Sequence, residues 1–481
     1  MNFWTARSIQ QITSGRWLVE PDGHVTVCGV CIDSRTIAPG QAFFAIRGER
    51  FDGHEFLQSA AQTGASILVA SDHVKARSVA HSGVLLVADT LAALQQLAAA
   101  YRRELGQTGT HVIAVTGSNG KTTTRHLIHT VLSTRLRGTQ SPKSFNNHIG
   151  VPLTLLGVRP DDDFVVVEMG TNHPGELDAL SNLVRPDIGV ITNIGLAHIG
   201  HFGTRESIAE EKSTLVRYVQ PRGLAIVPCD EDWPTGVFRA PSGIDVIKFG
   251  HSASSDAQLS WVRRDQQGLR FSVNQSEPFR LPYLGEHNAL NAIVAVLVGR
   301  KLGLHDQIIG RSLTVATAPP MRLQLIKLLP HHGIADRPLV VINDAYNANP
   351  ESVLQALITL SNFPTPGPDG RRIAVLGDMF ELGADAGAEH RHIGRALSQF
   401  ESGPNCIHAV VLIGKLSACT AEELAPRWKD DRLRIFAEWD DSLPGKLAQF
   451  VGPGDVVLIK ASRGMALERL IPALRATVEV A

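Results

Sequence analysis

Cysteine, long apolar runs and an excess of either charge are what this chain lacks. Five cysteines (Cys28, Cys31, Cys229, Cys406 and Cys419) in 481 residues are an odd, sparse set, which excludes a disulfide framework. Cys28 and Cys31 form a C-x-x-C, but no second pair follows at finger spacing. The surrounding "HVTVCGVCIDS" reads instead as a strand carrying small buried side chains. No apolar run approaches a membrane span; the longest, such as "VVLI" and "FVVV", suit buried strands. The amino terminus has neither the apolar core nor the cleavage site of a signal peptide, so a cytoplasmic setting without membrane insertion is expected. With 46 basic against 47 acidic residues, the chain is unsuited to coating nucleic acid, yet a local basic pocket remains open to it.

What is present is an ordinary globular composition, 43% hydrophobic and 19% charged, on a chain too long for one core. Three α/β domains are expected. Residues 1–107 hold the short strand candidates "QAFFAIRG", "ASILVAS" and "GVLLVAD" and an amphipathic helix capped by Asp89 or Thr90, with "GQTGT" (106–110) as a linker. Residues 108–320 alternate apolar strands with helices, which implies a mostly parallel covered sheet of the phosphate-loop ATPase type. Residues 321–481, with "LVVIND", "RIAVLGD", "AVVLIG" and "DVVLIKA", predict a second open sheet of Rossmann-like character.

The most informative stretch is "IAVTGSNGKTTT" (113–124). An apolar strand runs into a glycine turn and then a helix from Lys121, the setting a phosphate loop requires. Gly117, Ser118, Asn119 and Gly120 would offer backbone N–H groups, Lys121 a positive charge, and Thr122 or Thr123 a hydroxyl for Mg²⁺. The loop is shorter than G-x-x-x-x-G-K-[ST], since Val115 stands where the first glycine belongs. Glu168 ends the buried strand "FVVVE", where ligands gather in open α/β sheets, and is a natural Mg²⁺ ligand. A strand-terminal glutamate in solvent is the bland alternative. His198 follows another strand. Lys212, in "IAEEKSTLV", reads from the residues alone as a solvated helix lysine.

The string T-G-S-N-G-K-T-T resembles the ATP loop of the Mur ligases and of the folylpolyglutamate synthetases, which join a carboxylate to an amine at the expense of ATP. The likeness to the Mur ligases extends along the whole chain. It implies that His198, in "NIGLAHIGHFG", helps bind a second metal ion and that Lys212 is carbamylated into a metal-side anion. It implies further that Asn288, in "GEHNALNAIVA", contacts adenine, with His287 and Asn291 beside it. Asn288 as a helix cap remains the alternative. Arg322, in "PPMRLQ", is expected to reach ATP phosphate across a cleft, and Asp344 the ribose. "DAYNANP" (344–350) resembles the form found in the family member that adds D-alanyl-D-alanine to UDP-N-acetylmuramoyl-tripeptide. By that resemblance Tyr346, Asn347 and Asn349 line the nucleotide and dipeptide pocket, and Asn146 and Asn147 approach the muramyl peptide. "DSRTIAPGQAFFAIRG" resembles a uridine-nucleotide domain, with Ser34 and Arg35 toward the UDP. The chemistry implied is an acyl-phosphate route that uses ATP and Mg²⁺ and involves Lys121, Glu168, His198, Lys212 and Arg322, in an expected monomer. A kinase using the same loop, a nucleotide-binding module without turnover, and another step of the same ligase family are the competing readings. Thr214, Met321, Ala461 and Pro228 depart from the usual family residues.

Overall fold

The computed structural model describes residues 3–21, 25–77, 79, 83–231, 233, 238–329, 337–429 and 431–480. Its strands form three sheets of five, nine and six strands among those residues. In the first sheet, Gly83–Leu86, Ile67–Ala70, Ala42–Phe44 and Val30–Cys31 run parallel, and Arg16–Val19 closes one edge antiparallel. The strand predicted around Cys28 shrinks to Val30–Cys31, and Cys28 is exposed rather than buried, because Gly29 turns the backbone at φ 129°.

The central sheet places His111–Thr116 between Phe164–Glu168 and Ile188–Ile191, all parallel. The connection from His111–Thr116 leads to Gly138–Gln140 on one side and that from Ile188–Ile191 to Leu224–Pro228 on the other, so a crevice opens between the carboxyl ends of these two strands. Beyond Asp245–Gly250 the sheet continues into the meander Ala257–Asp265, Gly268–Val273 and Phe279–Leu281. The expectation of alternating strands and helices did not include this meander. Its longest strand alternates half-buried positions first with buried and then with exposed ones and ends in the charged run Arg263–Asp265, so no continuous apolar run marks it.

In the third sheet Leu339–Asn343, Val456–Lys460, Arg372–Gly377, Ala409–Ile413 and Leu433–Phe436 lie parallel in that order, edged by antiparallel Gln324–Leu328. Residues remote in sequence, such as Asn343 and Ile459, become register neighbours.

The segment 106–110 is mostly not a linker. The helix Thr90–Thr108 runs through it, stops at Gly109 in left-handed conformation (φ 86°), and the next strand begins at His111. This helix, capped by the Asp89 carboxylate, joins the first two sheets in one apolar core that includes Phe44, Leu97, Tyr101 and Val112. Tyr101 donates its hydroxyl to the carbonyl of Val158 at 2.7 Å, and Arg102 reaches the Val184 carbonyl at 2.8 Å and Asp187 at 3.0 Å. The third sheet has apolar clusters of its own on each face. A cleft of about 840 Å³ separates it from the central sheet.

Candidate active site

The phosphate loop leaves the central strand at Gly117 and enters the helix Lys121–Leu132 through Gly120. Gly117 holds φ 142°, and a Cβ there would overlap the Thr192 hydroxyl and lie 3.0 Å from the Thr192 nitrogen. The loop is braced from the neighbouring strand end. Thr192 donates its hydroxyl to the Asn119 carbonyl at 2.5 Å, and the Asn119 N–H donates to Asn193 Oδ1 at 2.8 Å. The Ser118 hydroxyl is bonded to both the N–H and the carbonyl of Gly195, so this side chain is scaffold. Lys121 Nζ folds over its own loop, donating to the carbonyls of Gly117 at 2.7 Å and Ser118 at 3.2 Å. Burial pulls its amine down to about 8; Glu168 opposes that shift and Arg322 adds to it.

Glu168 is buried and stands beside the loop, not in solvent. Asn146 Nδ2 donates to Glu168 Oε1 at 3.0 Å, and Arg125 Nη1 lies 3.4 Å from Oε2. Oε2 accepts no hydrogen bond, a costly state for a buried carboxylate oxygen. With the hydroxyl of Thr122 at the helix start, Glu168 fits a hard cation whose other ligands come from phosphate and water. Among the described residues no cluster of three or more His, Cys, Asp or Glu forms a cage for a metal held by protein alone. Arg125 also donates to the carbonyls of Ser141 at 2.6 Å and Lys143 at 2.7 Å, which fixes the segment leading to Asn146 and Asn147. Asn147 lines the cleft, and its Oδ1 accepts the Gly150 N–H at 2.9 Å at the start of the next helix.

The opposite wall comes from the third sheet. Arg322 reaches across the cleft, donating to the Thr122 hydroxyl at 2.8 Å while its guanidinium lies over the Tyr346 ring at 4.1 Å. The Tyr346 hydroxyl meets the Ser144 hydroxyl of the central domain. Asp344 follows the strand Leu339–Asn343 and accepts Lys460 Nζ at 2.5 Å and the Leu323 N–H at 3.0 Å. Lys460 also binds the Asn347 carbonyl at 3.0 Å. Asn349 caps the helix Pro350–Ser361 with Oδ1 and sends Nδ2 to Asn119 Oδ1 at 2.8 Å. Met321 takes a left-handed backbone (φ 57°), a conformation easier for glycine.

Asn288 does not cap its helix. It lies within His287–Lys301, donating Nδ2 to the Leu284 carbonyl at 2.7 Å and accepting from Asn291, which in turn accepts the Thr124 hydroxyl. Burial pulls the adjacent His287 imidazole down to about 4, against a nearby Asp344. His198 also lines the cleft, with Nδ1 2.6 Å from Glu381 Oε2 of the third domain.

Two expected groups do not line the cleft. Lys212 is buried but is not among the cleft-lining residues. Burial and the charge of Lys121 pull its amine down to about 7, so it is not a solvated helix lysine. Ser34 and Arg35 sit on the first domain away from this cleft, with Arg35 paired to Asp33 at 2.7 and 2.9 Å.

Arg125, Lys460, Glu351 and Glu381 escaped the sequence reading as site residues. Lys460 and Glu381 lie within "IKASRGMALE" and "GDMFELG", so a signal existed for them. Arg125 looks like one more helix residue, and only its burial beside Glu168 distinguishes it.

Residues 26–102 match the Mur ligase family catalytic domain, 115–299 the Mur ligase middle domain, and 322–463 the Mur ligase glutamate ligase domain. The chain is 38% identical to the UDP-N-acetylmuramoyl-tripeptide–D-alanyl-D-alanine ligase of Bacillus subtilis strain 168 over 469 residues, 97% of each chain. A crystal structure of MurF from Acinetobacter baumannii superposes with a TM-score of 0.84 at 32% identity, covering 98% of this chain and 99% of that one. MurF from Thermotoga maritima in complex with ADP gives 0.77 at 27% identity, covering 94% and 97%.

Proposed function

This chain belongs to the Mur ligase family, and from that premise we propose that its cleft joins UDP-N-acetylmuramoyl-tripeptide to D-alanyl-D-alanine, cleaving ATP to ADP and phosphate. The observation that carries the reading is the seating of segment 344–349 on the phosphate loop, with Asn349 bonded to Asn119 at 2.8 Å. A carboxylate that must first meet ATP and then an amine needs both sites in one cleft. The reaction is the last cytoplasmic step in building the peptidoglycan pentapeptide precursor. The proposed units are residues 1–107, 108–320 and 321–481, acting as a monomer in the cytoplasm.

A free carboxylate resists an amine because oxide is a very poor leaving group. Phosphorylation makes the acyl-phosphate; the dipeptide amine attacks it, and the tetrahedral intermediate expels phosphate. Lys121 and the loop N–H groups provide fixed positive charge where the transferred phosphoryl group needs it. Arg322 brings a further charge from the other wall. Mg²⁺ held by Glu168 and Thr122, with His198 and a carbamylated Lys212 toward a second ion, would supply neutralisation of the phosphates. Asp344 is assigned to the ribose and Asn288 to adenine. Tyr346, Asn347 and Asn349 are assigned to the nucleotide and dipeptide pocket, Asn146 and Asn147 to the muramyl peptide, and Ser34 and Arg35 to the uridine end.

The test is phosphate release with Mg·ATP and UDP-N-acetylmuramoyl-tripeptide, with and without D-alanyl-D-alanine. Release that requires both substrates, with a pentapeptide product by mass, is expected. Release only with a single amino acid and a shorter UDP-peptide would move the enzyme to another step of the family.

A further inference from the structure

Glu351 occupies the first turn of the helix Pro350–Ser361, in the third domain, yet its carboxylate serves the central domain. Oε2 accepts Asn119 Nδ2 at 3.2 Å, and Oε1 accepts the Leu196 N–H at 3.2 Å. The carboxylate rests on Gly195: a Cβ there would overlap it, 2.8 Å from Oε1. Gly195 is itself bound through both backbone groups to the Ser118 hydroxyl of the phosphate loop.

The directions of these hydrogen bonds dictate which residue can stand at 351. Asn349 Oδ1 is committed to the Ser352 N–H, so Asn349 presents its amide N–H₂ to Asn119. Asn119 must answer with its carbonyl oxygen, which leaves its own N–H₂ pointing at residue 351. Residue 351 therefore has to accept from Asn119 and, with its other atom, from the Leu196 N–H. Only a carboxylate offers two acceptors and no donor. A glutamine can satisfy one of the two and turns a donor toward the other.

We propose that Glu351 is a positioning residue: from the third domain it holds the phosphate loop, through Asn119 and the Gly195–Leu196 backbone, in the geometry that phosphoryl transfer needs. The proposal rests on the ligase reading above. It assigns Glu351 no contact with substrate; the residue acts through Asn119 and the 193–196 segment.

The test uses the full chain carrying Glu351→Gln, Gly195→Ala, or both. Gly195→Ala displaces the carboxylate without altering it. Each single variant is expected to lower kcat about tenfold or more, as for one unsatisfied buried donor, while KM for ATP stays within about twofold. The double variant is expected to be no worse than the poorer single one, because both remove the same interaction. Amide exchange in residues 117–121 and 193–197 is expected to accelerate in all three, with the overall melting temperature little changed. Unchanged kcat in Glu351→Gln, losses that multiply in the double variant, or unaltered exchange would each overturn the proposal. Wild-type turnover is measured first. A wild type silent with every substrate pair refutes the ligase reading, while the exchange data still judge the coupling.

Discussion

The guanidinium of Arg322 lies over the Tyr346 ring at 4.1 Å and donates to the Thr122 hydroxyl at 2.8 Å, so one side chain ties the third domain's wall to the start of the phosphate-loop helix. Both contacts use the planar fork of arginine. Lysine keeps the charge but neither stacks the same way nor donates from a rigid plane. Arg322→Lys is therefore expected to lose roughly 10²-fold in kcat, comparable to removing one fixed donor to a developing charge. Steady-state phosphate release checks this; a loss below about threefold would mean that charge alone suffices there.

Gly117 is held at φ 142° against Thr192. Gly117→Ala adds strain and a clash with a neighbouring strand end, and is expected to destabilise the chain by about 1–3 kcal/mol and to abolish nucleotide binding. Urea unfolding and titration with a fluorescent ATP analogue read the two effects separately.

His287 has its imidazole pulled from 6.5 to about 4 by burial. Between those values the unfolded chain binds the proton and the folded chain does not, so folding stability falls as pH drops from about 6.5 to 4. The stability is fully present above the unfolded value and lost as pH falls through the folded one. His287→Asn should flatten this part of the profile by about 2–3 kcal/mol between pH 7 and 4.5. Urea unfolding of both proteins across that range is the measurement; parallel profiles would show that His287 is already solvated.

Lys212 is a buried amine beside another cation, Lys121. Lys212→Met removes a desolvated amine while keeping its length, so the fold should be as stable or more stable. A gain of about 1 kcal/mol would raise Tm by about 1 °C in a chain of this length. Turnover is nevertheless expected to collapse if the lysine serves the metal side of the cleft. A variant that melts as expected and retains full phosphate release would remove Lys212 from the chemistry.

Local features were legible in the chain because local conformation produces them. The glycine turn needs backbone angles and space that few residues tolerate, and Asn349-Pro350 caps a helix whatever surrounds it. Apolar runs of five or six residues became the buried parallel strands, since such strands are covered on both faces. The meander 257–281 was not legible, because its longest strand is half-exposed and ends in the consecutive charges Arg263, Arg264 and Asp265.

The sequence by itself determined the three-part α/β organisation, the phosphate loop and the strand-end carboxylate, all matters of neighbouring residues. Tertiary structure alone decided which of those residues meet. It buried Lys212 out of the cleft lining but within reach of the Lys121 charge, tied Thr124 to Asn291, and brought Arg125 to Glu168. It also set Asp344 against Lys460 across a parallel register and laid Glu351 on Gly195. These pairs are separated by tens to more than a hundred residues. Their partners are selected by sheet order and domain docking, and no local pattern in a single chain records that choice.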